Sequence, residues 1–184
     1  MRKLGLPVLC AISAVALLAA APAKAADFSV FGSYWDTKDV AGGYGGGVKL
    51  DFARFLELRA TYFGDVNSNT PFPNNDRFKV RAAPLEAGLV FKFAPDERFT
   101  PYLGGGASYI LLDTNRGNIK NEAGWYAEAG ADIKTGHGFG LMLEAVYRSV
   151  DATVRENGTD TTFNDKVGLQ LRGLGANAGL VWHF

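Results

Sequence analysis

Along most of the chain, apolar or small residues recur at every second position, and helical spacing is sustained nowhere. The alternation predicts eight strands. The first four are 28–35, with Phe28, Val30 and Tyr34 on the apolar face; 44–52, with Tyr44, Val48, Leu50 and Phe52; 56–63, with Leu56, Leu58, Ala60 and Tyr62; and 85–93, with Leu85, Leu89, Phe91 and Phe93. The last four are 101–111, with Leu103, Tyr109 and Leu111; 125–133, with Trp125, Ala129 and Ile133; 139–147, with Phe139, Leu141, Leu143 and Tyr147; and 174–184, with Leu174, Leu180, Trp182 and Phe184. The opposite face of these segments holds Lys49, Asp51, Glu57, Arg59, Glu86, Lys92, Glu128, Asp132, Lys134, Glu144 and Arg148, interleaved with Gly and Ser.

A soluble barrel would turn the apolar face inward, whereas a membrane barrel turns it to lipid and keeps the polar face for the lumen. Three features favour the membrane. Aromatic residues gather at two levels of the apolar face, with Phe28, Phe52, Phe91, Phe93, Phe139, Trp182 and Phe184 at one and Tyr34, Tyr44, Tyr62, Tyr109, Trp125 and Tyr147 at the other. From Tyr44 to Phe52 is about 27 Å of strand and, once tilted, about 20 Å of height, close to the apolar band of roughly 25 Å in outer-membrane barrels. The connections also alternate, short at 53–54, 94–98 and 135–138, long and polar at 36–41, 66–76, 113–121 and 151–164. Finally, the last strand runs to an aromatic Phe184. Near Gly173 the apolar set changes phase, from Val167, Leu169 and Leu171 to Leu174 and its successors, which predicts a β-bulge with the hairpin above it projecting past the membrane.

Composition sharpens this picture. Twenty-three glycines among 184 residues, with few prolines and no triplet period, exclude a collagen, and one cysteine excludes a disulfide framework or zinc ribbon. Basic and acidic side chains balance at 19 each with no run of like charge, which argues against nucleic acid as a partner. Residues 1–25 have Arg2 and Lys3, an apolar run from Leu4 to Ala21, and Ala23-Lys24-Ala25, the layout of a secretory signal peptide cleaved after Ala25 or Ala26. The reading therefore divides the chain into a signal peptide, 1–25, and a barrel domain, 26–184. After Ala25 no apolar run approaches the roughly 20 residues of a membrane helix.

The expected fold is all-β, an eight-stranded antiparallel up-and-down transmembrane β-barrel. The segments Gly42 to Phe52, Pro101-Tyr102-Leu103-Gly104-Gly105-Gly106 and Ala178 to Phe184 resemble small outer-membrane barrels of the OmpA/OmpX/OmpW-like porin superfamily. The resemblance implies a Gram-negative outer membrane as the location, outer-membrane lipid and lipopolysaccharide as surroundings, and the barrel-assembly machinery as a partner in biogenesis. Leu180, Trp182 and Phe184 resemble the C-terminal signal that this machinery reads.

The polar face offers Lys49, Arg59, Glu86, Glu128, Asp132, Glu144 and Arg148 as a lumenal charge network. Eight strands enclose an interior that side chains fill, so these charges are expected to pair as a plug. Glycines at 45, 47, 88, 104, 106, 124 and 130 read as spacers for the long side chains, since no P-loop or complete dinucleotide fingerprint occurs. A lipid-modifying enzyme would need Ser and His together near the outer rim, whereas His137 and His183 fall at the short-turn end without a nearby Ser in sequence. Residues 65–76 approximate a calcium-loop spacing but have Thr70 where Gly is needed, Pro71 and Pro73 within, and Asp76 in place of the last Glu. The Asn157-Gly158-Thr159 sequon carries little weight in a bacterium. The expectation is thus a monomeric, non-enzymatic barrel without cofactor or metal, serving envelope structure or loop-mediated interaction. The alternative is a small conduit for hydrophobic molecules, drawing on inward Phe31, Trp35, Phe63, Tyr102, Tyr126 and Val146.

Overall fold

The computed structural model describes residues 26–37, 42–52, 55–67, 79–95, 97–114, 118–119, 121–136, 138–155 and 166–184. They form β1 (Ala26–Trp35), β2 (Gly43–Phe52), β3 (Leu56–Asn67), β4 (Lys79–Lys92), β5 (Phe99–Thr114), β6 (Asn118–Ile119), β7 (Glu122–Gly136), β8 (Phe139–Ser149), β9 (Asp151–Arg155), β10 (Lys166–Gln170) and β11 (Gly173–His183), with no helix among them. Eight strands close in the order β1-β11-β8-β7-β5-β4-β3-β2, every neighbour antiparallel, while β10, β9 and β6 make a small separate sheet. This is the up-and-down barrel that the alternation predicts, and all eight predicted segments supply its staves. The signal-peptide segment, the 157–159 sequon, His137 and most of the calcium-like loop lie outside the described residues.

Two expectations change. The strands run further at the long-loop end than predicted: β3 reaches Asn67, β4 starts at Lys79, β5 reaches Thr114, and the 151–164 segment opens with β9. No bulge interrupts the chain at Gly173 either. Gly173 pairs with Arg148, the Leu171 N–H donates to the Val150 carbonyl at 2.9 Å, and Gln170 pairs with Asp151, so the ladder keeps its step with no residue inserted. The apolar phase changes because the surroundings change. Val80, Ala82, Ile110, Leu112, Val150 and Leu171 point inward and form one buried cluster with Trp35 and Phe63, while Arg81, Asp113, Asp151 and Arg172 occupy the outer face of the same strand ends. Above the tyrosine level the barrel is patterned as a soluble one, polar outside and apolar inside.

Below that level the pattern reverses. Leu89, Phe91, Leu103, Leu141, Leu143 and Leu180 are exposed on the outer wall, and Lys49, Arg59, Glu86, Glu144 and Arg148 are buried within. Aromatic rings meet in pairs at both levels, Tyr34 on Tyr44 at 5.1 Å and Trp125 on Tyr147 at 5.5 Å, then Phe28 and Phe139 on either side of Trp182 at 5.9 and 5.6 Å. Between them the wall is lined with small residues, including Gly32, Ala129, Ala145, Ala176 and Ala178, around a shallow outer concavity of about 790 Å³. On this assignment Leu143→Arg should cost about 2–4 kcal/mol in a lipid-based unfolding titration. The lumenal Ser108→Thr should cost under about 1 kcal/mol, and equal losses at the two sites would overturn the assignment of faces.

Candidate functional site

The lumen is the one place where the described polar side chains converge, and its filling begins with glycine. A Cβ on Gly47 would stand 2.7 Å from the Phe31 ring, one on Gly88 2.5 Å from the Tyr126 hydroxyl, one on Gly104 2.6 Å from a Glu128 oxygen, and one on Gly130 2.6 Å from the Tyr102 hydroxyl. Removing those four Cβ atoms makes the room that the large inward side chains use.

At mid-height Glu144 on β8 gathers donors from four other strands. Its Oε2 accepts from Lys49 Nζ of β2 at 3.2 Å, Arg59 Nη2 of β3 at 2.9 Å and the Tyr102 hydroxyl of β5 at 2.9 Å, and its Oε1 accepts from Asn177 Nδ2 of β11 at 2.7 Å. Arg59 is the cationic counterpart. Its guanidinium also meets Glu128 of β7, Glu57 at 3.1 Å and Glu86 at 3.8 Å. Arg148 then takes Glu86 in a two-point grip, Nε to Oε1 at 2.8 Å and Nη2 to Oε2 at 3.0 Å, and Ser108 donates to the same carboxylate at 3.3 Å. Such paired, charge-assisted bonds are what makes burial of an Arg tolerable.

The network is bounded on both sides. Toward the long loops, Arg148 lies under the Trp35 and Phe63 rings at 5.5 and 5.9 Å, where the apolar cluster begins. Toward the short turns a second layer forms around Lys92 Nζ, which contacts Asp27 at 2.6 Å, Asp51 at 2.8 Å and Asp132 at 3.2 Å, while His183 Nδ1 sits 2.8 Å from the other Asp27 oxygen. Of the seven residues expected in the network, Lys49, Arg59, Glu86, Glu128, Glu144 and Arg148 meet at mid-height, and Asp132 belongs to the lower layer. Leu180 and Phe184 stand exposed on the outside, and Trp182 packs between Phe28 and Phe139.

Several participants escaped the sequence reading. Asp27 precedes the predicted start of its strand, and Asn177 is an uncharged residue in an alanine-rich stretch. Tyr102 and Tyr126 read as apolar lining, yet their hydroxyls donate to Glu144 and Glu57. The parity of Glu57, Asp51 and Lys92 was the available signal for the rest.

This geometry braces the barrel. Truncating Arg148 to Met leaves Glu86 buried with only Ser108 and a distant Arg59 contact, so unfolding in detergent or lipid should show a loss of about 3–5 kcal/mol. Adding Glu86→Met should restore most of it. A single variant as stable as the parent would remove the network from the account of stability.

A family model, described as the outer membrane protein beta-barrel domain, matches residues 8–184. No curated protein matches the chain by sequence. Among solved structures the chain is similar to the outer membrane protein OprG from Pseudomonas aeruginosa, at 16% identity over 88% of this chain and 97% of that one, with a TM-score of 0.71. It is also similar to the E. coli outer membrane protein W, at 12% identity, 88% and 98% coverage and a TM-score of 0.62. A third is AlkL in lipid bilayers, at 13% identity, 88% and 90% coverage and a TM-score of 0.58. At these identities the structures establish a shared fold.

Proposed function

The chain belongs to the outer membrane protein beta-barrel domain family, and we propose that within it this protein is a non-enzymatic, monomeric barrel with a sealed lumen. It serves envelope structure or presents its long loops to partners. The carrying observation is the interior itself, where Arg59, Arg148 and Lys49 are among the most deeply buried side chains of the described residues and pair across the lumen, Lys49 and Arg59 with Glu144 and Arg148 with Glu86. In this reading residues 1–25 are a signal peptide removed after Ala25 or Ala26, and the mature chain resides in a Gram-negative outer membrane. Lipopolysaccharide surrounds it there, and the barrel-assembly machinery is its partner during biogenesis. The refolded mature protein, once it shows heat-modifiable migration on a gel, should insert into a planar bilayer without single-channel steps. Steady steps that change in Glu128→Gln would overturn the sealed lumen.

One observation favours a second reading, a lateral conduit for small apolar molecules. Pairing between β3 and β4 runs to Ala60 opposite Leu85, resumes at Phe63 opposite Ala82 and then shifts register before Val66. The lapse falls at Pro84, which has no N–H to donate, and it adjoins the apolar cluster of Trp35, Phe63, Val80 and Ala82. If molecules pass there, Pro84→Thr should slow uptake of an apolar fluorescent probe into bacteria carrying the protein. An unchanged rate would dismiss the conduit.

A further inference from the structure

The mid-height layer of the lumen does not balance. Four carboxyl groups, Glu57, Glu86, Glu128 and Glu144, meet three cations, Lys49, Arg59 and Arg148, and all of these side chains are more than nine-tenths covered. The layer below has no charge to lend, since Lys92 there already faces Asp27, Asp51 and Asp132. The second observation is a count of hydrogens. Arg59 donates through Nη2 alone, its Nε and Nη1 having no hydrogen-bond partner, and Nη2 meets three carboxyl groups at once, Glu144 at 2.9 Å, Glu57 at 3.1 Å and Glu128. That nitrogen carries two hydrogens. Carboxylates drawn onto one point in a space without water repel one another, and the repulsion is relieved when one of them takes a proton.

The donors single out which one. Glu144 accepts from Lys49, Arg59, Tyr102 and Asn177, and Glu86 accepts from Arg148 twice and from Ser108. Glu57 has the Tyr126 hydroxyl besides Arg59. Glu128 has only the shared nitrogen of Arg59, and its Oε1, beside Gly104 of β5, is buried without a partner. A buried carboxylate so poorly supplied is costly as an anion and far less so as a neutral acid.

We propose that Glu128 keeps its own proton in the folded barrel at neutral pH, so that the barrel binds one proton more than the unfolded chain and loses stability as that proton leaves. A proton needs no cavity and no coordination shell. With Glu128 neutral, three carboxylates answer three cations, and the two hydrogens of Arg59 Nη2 have two charged acceptors, Glu57 and Glu144. The titratable and charged groups facing Glu128 are Arg59 and Glu57 of β3, Lys49 of β2, Glu144 of β8, Tyr102 of β5 and Tyr126 of β7 itself. Glu86 of β4 is taken up by Arg148. In the unfolded chain the side chain has the ordinary glutamate value of about 4.3 and is ionised at neutral pH. The folded state therefore holds the extra proton, and the folding constant falls about tenfold per pH unit on the way up until Glu128 discharges. The inference goes beyond the sealed lumen and does not need it, because this linkage is indifferent to the path by which the proton travels.

The full mature protein, in an ester-free detergent at neutral pH, should show the infrared carbonyl stretch of a protonated carboxylic acid, and Glu128→Gln should lose it. In urea titrations between about pH 6 and 7 the folding constant of the parent should fall about tenfold more per pH unit than that of Glu128→Gln. The variant itself should fold, since a glutamine copies the neutral acid in shape and charge. Superimposable carbonyl spectra of parent and variant, parallel pH slopes, or failure of Glu128→Gln to fold would each overturn the proposal. Bilayer conductance reports separately on the sealed lumen, so the failure of one reading is distinguishable from the failure of the other.

Discussion

In hydrocarbon a backbone N–H or C=O has no water to turn to, so a sheet that enters the membrane must close on itself. Here the closure is made by β1 and β11, paired from Asp27 opposite His183 to Trp35 opposite Gly175. The rest follows from that seam. Eight strands closed in a ring leave an interior only as wide as its side chains. Because alternate residues must face lipid, the others are forced into this narrow space, whatever their polarity. Charges placed there lose water on all sides and must find one another, which Glu144 and Arg59 accomplish by reaching across to β2, β5 and β7. Gly47, Gly88, Gly104 and Gly130 complete the arrangement by yielding the room.

Buried ion pairs are weak evidence for stability when set against a well-packed apolar interior, and a different benefit suits them here. A strand that slipped by one residue would turn its lumenal charges into lipid and its leucines into the network. Since the bonds of Glu144 to Lys49, Arg59 and Tyr102 and of Arg59 to Glu128 tie strands that are not neighbours in the ring, they relate the registers of distant strands rather than of one adjacent pair. The aromatic pairs outside, Tyr34 with Tyr44 and Trp125 with Tyr147, mark the same register from the other face.

The alternation in the sequence made the eight staves and the two faces legible, since a period of two in 139–147 or 174–184 admits one extended reading. It also brought out Lys49, Arg59, Glu86, Glu128, Glu144 and Arg148 by parity alone. It failed where the rule equating apolar with outward ceased to hold. Lys79 to Pro84 was passed over because its valine and alanine point in and its arginine points out, and the phase change before Gly173 resembled an inserted residue for the same reason. Which charges meet was not legible at all. Asp132 joined Lys92 rather than Arg59 because of its depth along the lumen, and depth depends on the tilt and stagger of neighbouring strands, which one chain's pattern does not encode.

The register kept from β8 into β9 and from β10 into β11, across the interruption at Val150 and Leu171, has a mechanical consequence. A ribbon that crosses from lipid into water without an inserted residue has no hinge at the boundary. Its outer part, β9 and β10, is therefore continuous in register with β8 and β11 of the wall. A pull on this hairpin is passed directly to β11, the strand that closes the ring, so the load reaches the seam between β1 and β11.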